Sequence, residues 1–237
     1  MAKRTSSVEL MRDERRKIRK IFLRTLLQLP ESQRRVEKNE YFSILFHSQR
    51  KLFLFHLVPI NGNSVMEVRY MNLVLVDEKD NEIGTDEKLK AHKEGKLHRA
   101  FSIFIFNSKG EMLLQKRAGK KYHSGGLWTN ACCSHPEPNK IIRDEAERRL
   151  KEEMGIGCKI KEILSFIYKA DLGDLMEYEF DHVFVGKSDD NPKLDPEEAE
   201  DWKWISPEDL QKDVKENPEK YTHWFKIIFN KVLNSVK

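Results

Sequence analysis

The nine residues RRLKEEMGI, Arg148 to Ile156, close the segment whose reading decides how this chain folds. Reading back from them, NKIIRDEAERRLKEEMGI places Ile142, Ala146, Leu150 and Met154 at helical spacing, so one stripe faces a core and Gly155 ends the helix. The same helix sets Arg149 and Glu153 four residues apart. Two readings of that pair stay open: a solvated i,i+4 ion pair worth about 0.2–0.5 kcal/mol, or charges turned toward a ligand.

Working outward, HRAFSIFIFNSKGEMLLQKR reads as a hairpin with Phe101, Ile103 and Ile105 alternating and a turn at NSKG. MNLVLVDEKDNEIG is strand, turn and strand, and ILSFIYKA and MEYEFDHVFVG are two further strands. A Pro- and acid-rich loop, the segment DWKWIS and a C-terminal helix containing HWFKIIFNKVL complete the chain. Hairpins combined with one central and one terminal helix predict an α+β class, a mixed sheet flanked by helices, and exclude a helical bundle.

The N-terminal part differs in charge. Residues 1–39 hold 12 Lys and Arg against 5 Asp and Glu, a net +7 in a chain of net +4, so the other 198 residues carry −3. SSVELMRDERRKIRKIFLRTLLQLP reads as a basic amphipathic helix capped by Ser6 or Ser7, with Met11, Ile18, Phe22, Thr25, Leu26 and Leu29 as its apolar stripe. EYFSILFH and KLFLFHLV read as two short strands or a hairpin, and PINGNS, residues 59–64, has the turn chemistry of a boundary loop. We therefore expect an appendage over residues 1–66 and a catalytic-sized domain over 67–237. The appendage helix is expected to dock on protein rather than on a membrane, because Arg15 interrupts its stripe.

No apolar run approaches the ~20 residues that cross a bilayer as a helix, and no secretory signal is visible. Three cysteines cannot form a paired framework, which predicts reduced thiols and a cytoplasmic protein. No nucleic-acid motif accompanies the basic residues. The segment TNACCSHPEP concentrates two of the three cysteines, Cys132 and Cys133, with His135. His92, His98, His135, Glu177 and Glu179 offer three imidazoles and two carboxylates, and strand alternation in EYE puts both carboxylates on one face. Such a mixed set suits an octahedral Mn²⁺ or Mg²⁺, with Zn²⁺ as the alternative. His47, His56, His182 and His223 read as solvated or core imidazoles, and Trp202, Trp204 and Cys158 as core residues.

RRLKEEMGI resembles the second half of the Nudix signature, G-x5-E-x7-R-E-U-x-E-E-x-G-U. Arg148, Leu150, Glu152, Glu153, Gly155 and Ile156 fit, whereas Ser134, Lys140 and Arg149 stand where the signature has Gly, Glu and Glu. That departure disfavours the alternative reading, a Nudix-type diphosphate hydrolase. Together KAHKEGKLHRAFSIFIFN, KYHSGGLWTNACCSHP, RRLKEEMGI, YKADLGDLMEYEFDH and HWFKII resemble, in order and approximate spacing, the type I isopentenyl diphosphate isomerases of the Nudix superfamily. The resemblance spans roughly residues 68–232.

It implies an α/β/α Nudix-like sandwich and a metal on His92, His98, His135, Glu177 and Glu179. It further implies a diphosphate held by Lys88, Arg117, Lys121 and Arg149, and a Mg²⁺ arriving with the substrate on Glu153. Cys133 aligns with the family's catalytic thiol; Glu179, supported by Tyr168, handles the second proton on the opposite side of a planar alkene. Trp224 matches the pocket tryptophan that would face a carbocation, and Trp128 lies close to the catalytic segment. The expected partner is a small diphosphate ester, with the chain acting as monomer or homodimer and without nucleic acid.

Overall fold

A computed structural model describes residues 72–236 apart from 122 and 174, and the backbone of residues 43–48, 51–60 and 63–69. The expected N-terminal helix lies outside the described residues. The chain divides into Met1–Arg69 and Tyr70–Lys237.

In the first unit β1 (Ser43–Ser48), β2 (Lys51–Ile60) and β3 (Asn63–Arg69) pair antiparallel in that order. The two strands expected here are present and pair as a hairpin, but PINGNS is not a domain boundary. Ile60 stands opposite Asn63, and pairing runs on until Leu54 meets Arg69. The strand-forming Val65 and Val68 carry β3 through residue 66, so the division falls after Arg69, three residues later than expected.

The second unit contains β4 (Asn72–Val76), β5 (Glu82–Glu87), α1 (Lys88–Glu94), β6 (His98–Phe106), β7 (Met112–Arg117), β8 (Trp128–Asn130) and β9 (Cys132–Ser134). After these come α2 (Ile142–Met154), β10 (Ile160–Asp171), β11 (Met176–Lys187), β12 (Ala199–Ile205), α3 (Pro207–Glu216) and α4 (His223–Ser235). Among the described residues its nine strands form one sheet, with β10-β11-β6-β4-β5 as the main path and β7, β8, β9 and β12 joined through β6 and β7. β11 runs parallel to β6, and the other pairs are antiparallel. The sheet is mixed, as expected.

β6 is buried on both faces. Phe101, Ile103 and Ile105 pack with Ala146, Leu150 and Met154 of α2 on one side. Phe104 and Phe106 pack with Phe225, Ile228 and Phe229 of α4 and with Leu210 and Val214 of α3 on the other. The result is the α/β/α sandwich. The alternation seen in sequence marked one face only, because a strand covered by helices on both sides is apolar at nearly every position.

Two helices escaped the sequence reading. α1 is seven residues long, too short to show a period, and is held by Glu87, whose carboxylate accepts the Leu89 N–H at 3.1 Å, and by Gly95 in the left-handed region. α3 carried a legible start: Ser206 caps it by accepting from the Asp209 N–H at 3.1 Å, and Pro207 occupies its first turn.

Gly155 ends α2 at φ 68°, and a Cβ there would lie 2.9 Å from the Lys193 carbonyl oxygen. Gly110 has φ 78°, and a Cβ there would meet nothing within 4 Å. Gly110→Ala should therefore cost about 1 kcal/mol of backbone strain, and Gly155→Ala about 2 kcal/mol or more once steric conflict is added. Thermal melts should show Gly155→Ala several degrees below Gly110→Ala; equal midpoints would refute the close-approach account.

Candidate active site

Three imidazoles meet where α1, β6 and β9 converge. His92 lies on α1, His98 opens β6 and His135 follows β9; their ring centroids are 4.7 to 5.7 Å apart. Glu179 joins them because the parallel register of β11 sets it beside His98. One ligand atom from each of His92, His98, His135 and Glu179 lies within 4.8 Å of all the others.

The hydrogen bonds decide what this cluster can hold. His92 Nδ1 lies 2.8 Å from the Lys88 carbonyl, and His98 Nδ1 lies 2.8 Å from the Lys96 carbonyl. A carbonyl only accepts, so both rings carry their proton on Nδ1, and each Nε2 is left as a lone pair. His98 Nε2 is buried without a hydrogen-bond partner among the described residues and stands 3.5 Å from Glu179 Oε1. Lone pair facing carboxylate is repulsive unless a cation lies between them. Burial, with the nearby His98 and Lys88, holds His92 down to about 4, and burial likewise holds His135 well below its ordinary value. Burial thus works against a charged imidazole at His92 and at His135, and three ring nitrogens with one carboxylate are a donor set that fits a divalent metal ion.

Glu179 is divided between two tasks. Its Oε1 lies 3.0 Å from His135 Nε2, and its Oε2 accepts from the Tyr168 hydroxyl at 2.6 Å. Burial would raise this carboxyl, but the hydrogen bond with His135 leads the contacts that outweigh burial and hold it well below the usual range. Glu177, the fifth expected ligand, shares the face but lies outside the four-residue set: Tyr168 is 3.4 Å from it and His123 3.7 Å. Burial and the Glu179 charge push Glu177 up to about 8.

The two cysteines are separated by strand alternation, and β9 is what separates them. β9 pairs with β6 so that Cys132 faces Ile103 and Cys133 faces Ser102. Cys132 packs under α2, whereas Cys133 sits on the α4 side with Trp224. Trp224 Nε1–H donates to Cys133 Sγ at 3.1 Å, and the thiol donates to Asn130 Oδ1 at 3.0 Å. Burial and the Asp181 charge push the Cys133 thiol up to about 12, so it is a protonated acid and not a thiolate at neutral pH.

Cations gather beside these groups. Arg149 contacts Glu153 at 2.6 Å and Glu198 at 3.1 Å, and Lys121 forms a close ion pair with Glu198. Glu153 is buried, so the i,i+4 pair with Arg149 is no solvated surface pair. Arg117 lies over the Trp224 ring at 5.3 Å. Burial lowers the Lys88 ammonium, with Glu179 and Glu198 opposing and Arg117 and Arg149 assisting, which puts all five groups in one electrostatic neighbourhood. Arg117 Nε and Arg149 Nε are buried with no hydrogen-bond partner among the described residues. Such donors suit an anion with several oxygens.

Residues 96–225 match the NUDIX domain family, more than half of the chain. An isopentenyl-diphosphate Delta-isomerase 2 of Aromatoleum aromaticum is 50% identical over 163 residues, 68% of this chain and 86% of that protein. A second, from Photorhabdus laumondii, is 52% identical over 159 residues, 67% of this chain and 90% of the relative. The chain belongs to the NUDIX isopentenyl-diphosphate Delta-isomerase family. The crystal structure of DR0079 from Deinococcus radiodurans shares the fold, with a TM-score of 0.52 and 19% identity over 62% of this chain and 90% of that one.

Relative to what this family suggested in sequence, the structure adds Asn130, Ser102, Asp181 and Glu198 to the site. Asp181 was legible, being two residues beyond Glu179 on the same strand face, and its Oδ2 accepts from Ser102 at 2.8 Å. Glu198 had no local signal, since only the fold brings its acid-rich loop to Arg149. Of the histidines set aside, His182 is buried between Glu162 at 2.8 Å and Asp80 at 3.1 Å, away from the family's site residues.

If His98 and His135 are ligands, replacing either by alanine should weaken Mn²⁺ binding at least about tenfold in calorimetric titration. Unchanged affinity in both variants would remove the four-residue set from consideration.

Proposed function

We propose that this chain interconverts isopentenyl diphosphate and dimethylallyl diphosphate by adding one proton and removing another. The reading is carried by one observation: a thiol, Cys133, and a buried carboxylate, Glu179, stand on the same face of the sheet beside a cluster of cations. An unactivated alkene is a weak base, so a positioned acid in a site sheltered from water is the chemical requirement.

The diphosphate would bind through Lys88, Arg117, Lys121 and Arg149, with Glu153 turned toward a Mg²⁺ that accompanies it. Cys133 would give its proton to the terminal alkene carbon, and positive charge would develop on the adjoining tertiary carbon. Glu179 would then take a proton from C2, which moves the double bond by one position and leaves a thiolate and a carboxylic acid. One proton enters and one leaves, so the substrate and product are isomers. Tyr168, whose hydroxyl holds Oε2, would keep the carboxylate aimed. The indole of Trp224 offers an aromatic face to the charge, worth about 0.5–2 kcal/mol. A divalent ion on His92, His98, His135 and Glu179, with Glu177 as the further donor in reach of the same strand face, would supply orientation and electrostatic tuning of Glu179.

Hydrolysis is a poor fit to the same residues. The α2 helix has Arg149 where a signature carboxylate would stand, and that cation engages Glu153 and Glu198.

Incubation with isopentenyl diphosphate should give dimethylallyl diphosphate and no released phosphate. Cys133→Ala and Glu179→Gln should each lower turnover by about 10³-fold or more, while Cys132→Ala, on the other face of β9, should keep most activity. Phosphate release in place of isomerisation, or full turnover by Cys133→Ala, would overturn the assignment.

A further inference from the structure

The thiol's hydrogen bonds form a directed network that reaches α4. Asn130 is fully buried, and its amide is fixed because Nδ2 donates to the Ile103 carbonyl at 3.1 Å and the Cys132 carbonyl at 2.9 Å. Its Oδ1 can then only accept. It accepts from the Cys133 thiol at 3.0 Å and from the Thr129 hydroxyl at 3.0 Å. Thr129 in turn is fully buried and has spent its one proton on Asn130, so its oxygen accepts from Thr222 at 3.0 Å and from Trp224 Nε1–H at 2.9 Å. The same indole N–H lies 3.1 Å from Cys133 Sγ.

Ser102 Oγ, which donates to Asp181, also lies 3.6 Å from Cys133 Sγ, a longer contact than the 3.0 Å from the sulfur to Asn130 Oδ1. Thr222 and Trp224 feed Thr129, Thr129 and Cys133 feed Asn130, and Asn130 feeds two backbone carbonyls. The thiol proton points at an amide oxygen that cannot take it, while an indole donor shared with Thr129 points at the sulfur where negative charge appears once the proton leaves. From this arrangement we infer that Thr129 and Asn130 are positioning residues for the thiol. Thr129 divides the Trp224 N–H between itself and the sulfur, and Asn130 holds the thiol as a donor with a fixed direction. Among the described residues neither hydrogen-bonds to Lys88, Arg117, Lys121 or Arg149, so their effect falls on the chemical step and not on substrate affinity. The inference rests on the isomerase reading of Cys133.

Thr129→Val keeps the shape and removes the hydroxyl; Thr129→Ser keeps the hydroxyl. Both variants and the unaltered chain would be assayed with isopentenyl diphosphate. Thr129→Val should lose about tenfold in kcat with KM within twofold, the scale of one positioning hydrogen bond, and Thr129→Ser should retain most of kcat. Equal kcat in Thr129→Val and the unaltered chain, or equal losses in the valine and serine variants, would overturn the inference. An unaltered chain without isomerase turnover would instead overturn the reading beneath it. Should Thr129→Val fail to fold, the Trp224 indole proton decides: in the unaltered chain it should exchange with D₂O far more slowly than that of a surface tryptophan. Exchange as fast as a surface indole would show that the network does not hold.

Discussion

The parallel register of β6 and β11, which sets Glu179 beside His98, is the constraint from which the site follows. Side chains at paired positions of adjacent strands share a face, so this register carries Glu177, Glu179 and Asp181 to the side of β6 that holds His98 and Ser102. β9 adds Cys133 to that side by pairing with Ser102. A slip of one residue in either pairing would send the carboxylates or the thiol under α2. The apolar burial of β6 on both faces fixes the register, since Phe101, Ile103 and Ile105 fit only against α2 and Phe104 and Phe106 only against α4.

Three buried carboxylates on one strand face create an electrostatic problem that is met unequally. Glu179 has the imidazoles and the Tyr168 hydroxyl and remains an anion. Glu177 is pushed up to about 8 by burial and the Glu179 charge, and burial with the same charge raises Asp181 well above its ordinary value. The strand thus concentrates its negative charge on the one carboxylate that hydrogen-bonds to His135 and to the Tyr168 hydroxyl. Two roles for similar side chains follow from environment alone.

Much of this was legible in the sequence because it depends on period. The apolar spacing of α2 and the alternation in EYE carry their own geometry, and Gly155 marks a helix end by its backbone freedom. Other parts depend on contacts that no local pattern encodes. β9 has only three residues, too few to show a strand period, although its pairing is what sends Cys132 and Cys133 to opposite faces. PINGNS has the chemistry of a turn, and turn chemistry alone does not distinguish a hairpin from a linker. Thr129 and Asn130 sit in the motif that names Cys133, yet their roles need a neighbour about 90 residues further along, Trp224. Glu198 reaches Arg149 only through the fold.

The central claim is that one protein group delivers a proton to the alkene and a different group removes another. The most direct measurement is proton magnetic resonance of the product formed in D₂O. A thiol exchanges its proton with solvent, so dimethylallyl diphosphate should carry deuterium in a methyl group from the first turnover. Product formed at full rate with no deuterium in the methyl would mean that a single group shuttles the substrate's own proton, and it would contradict the two-group account.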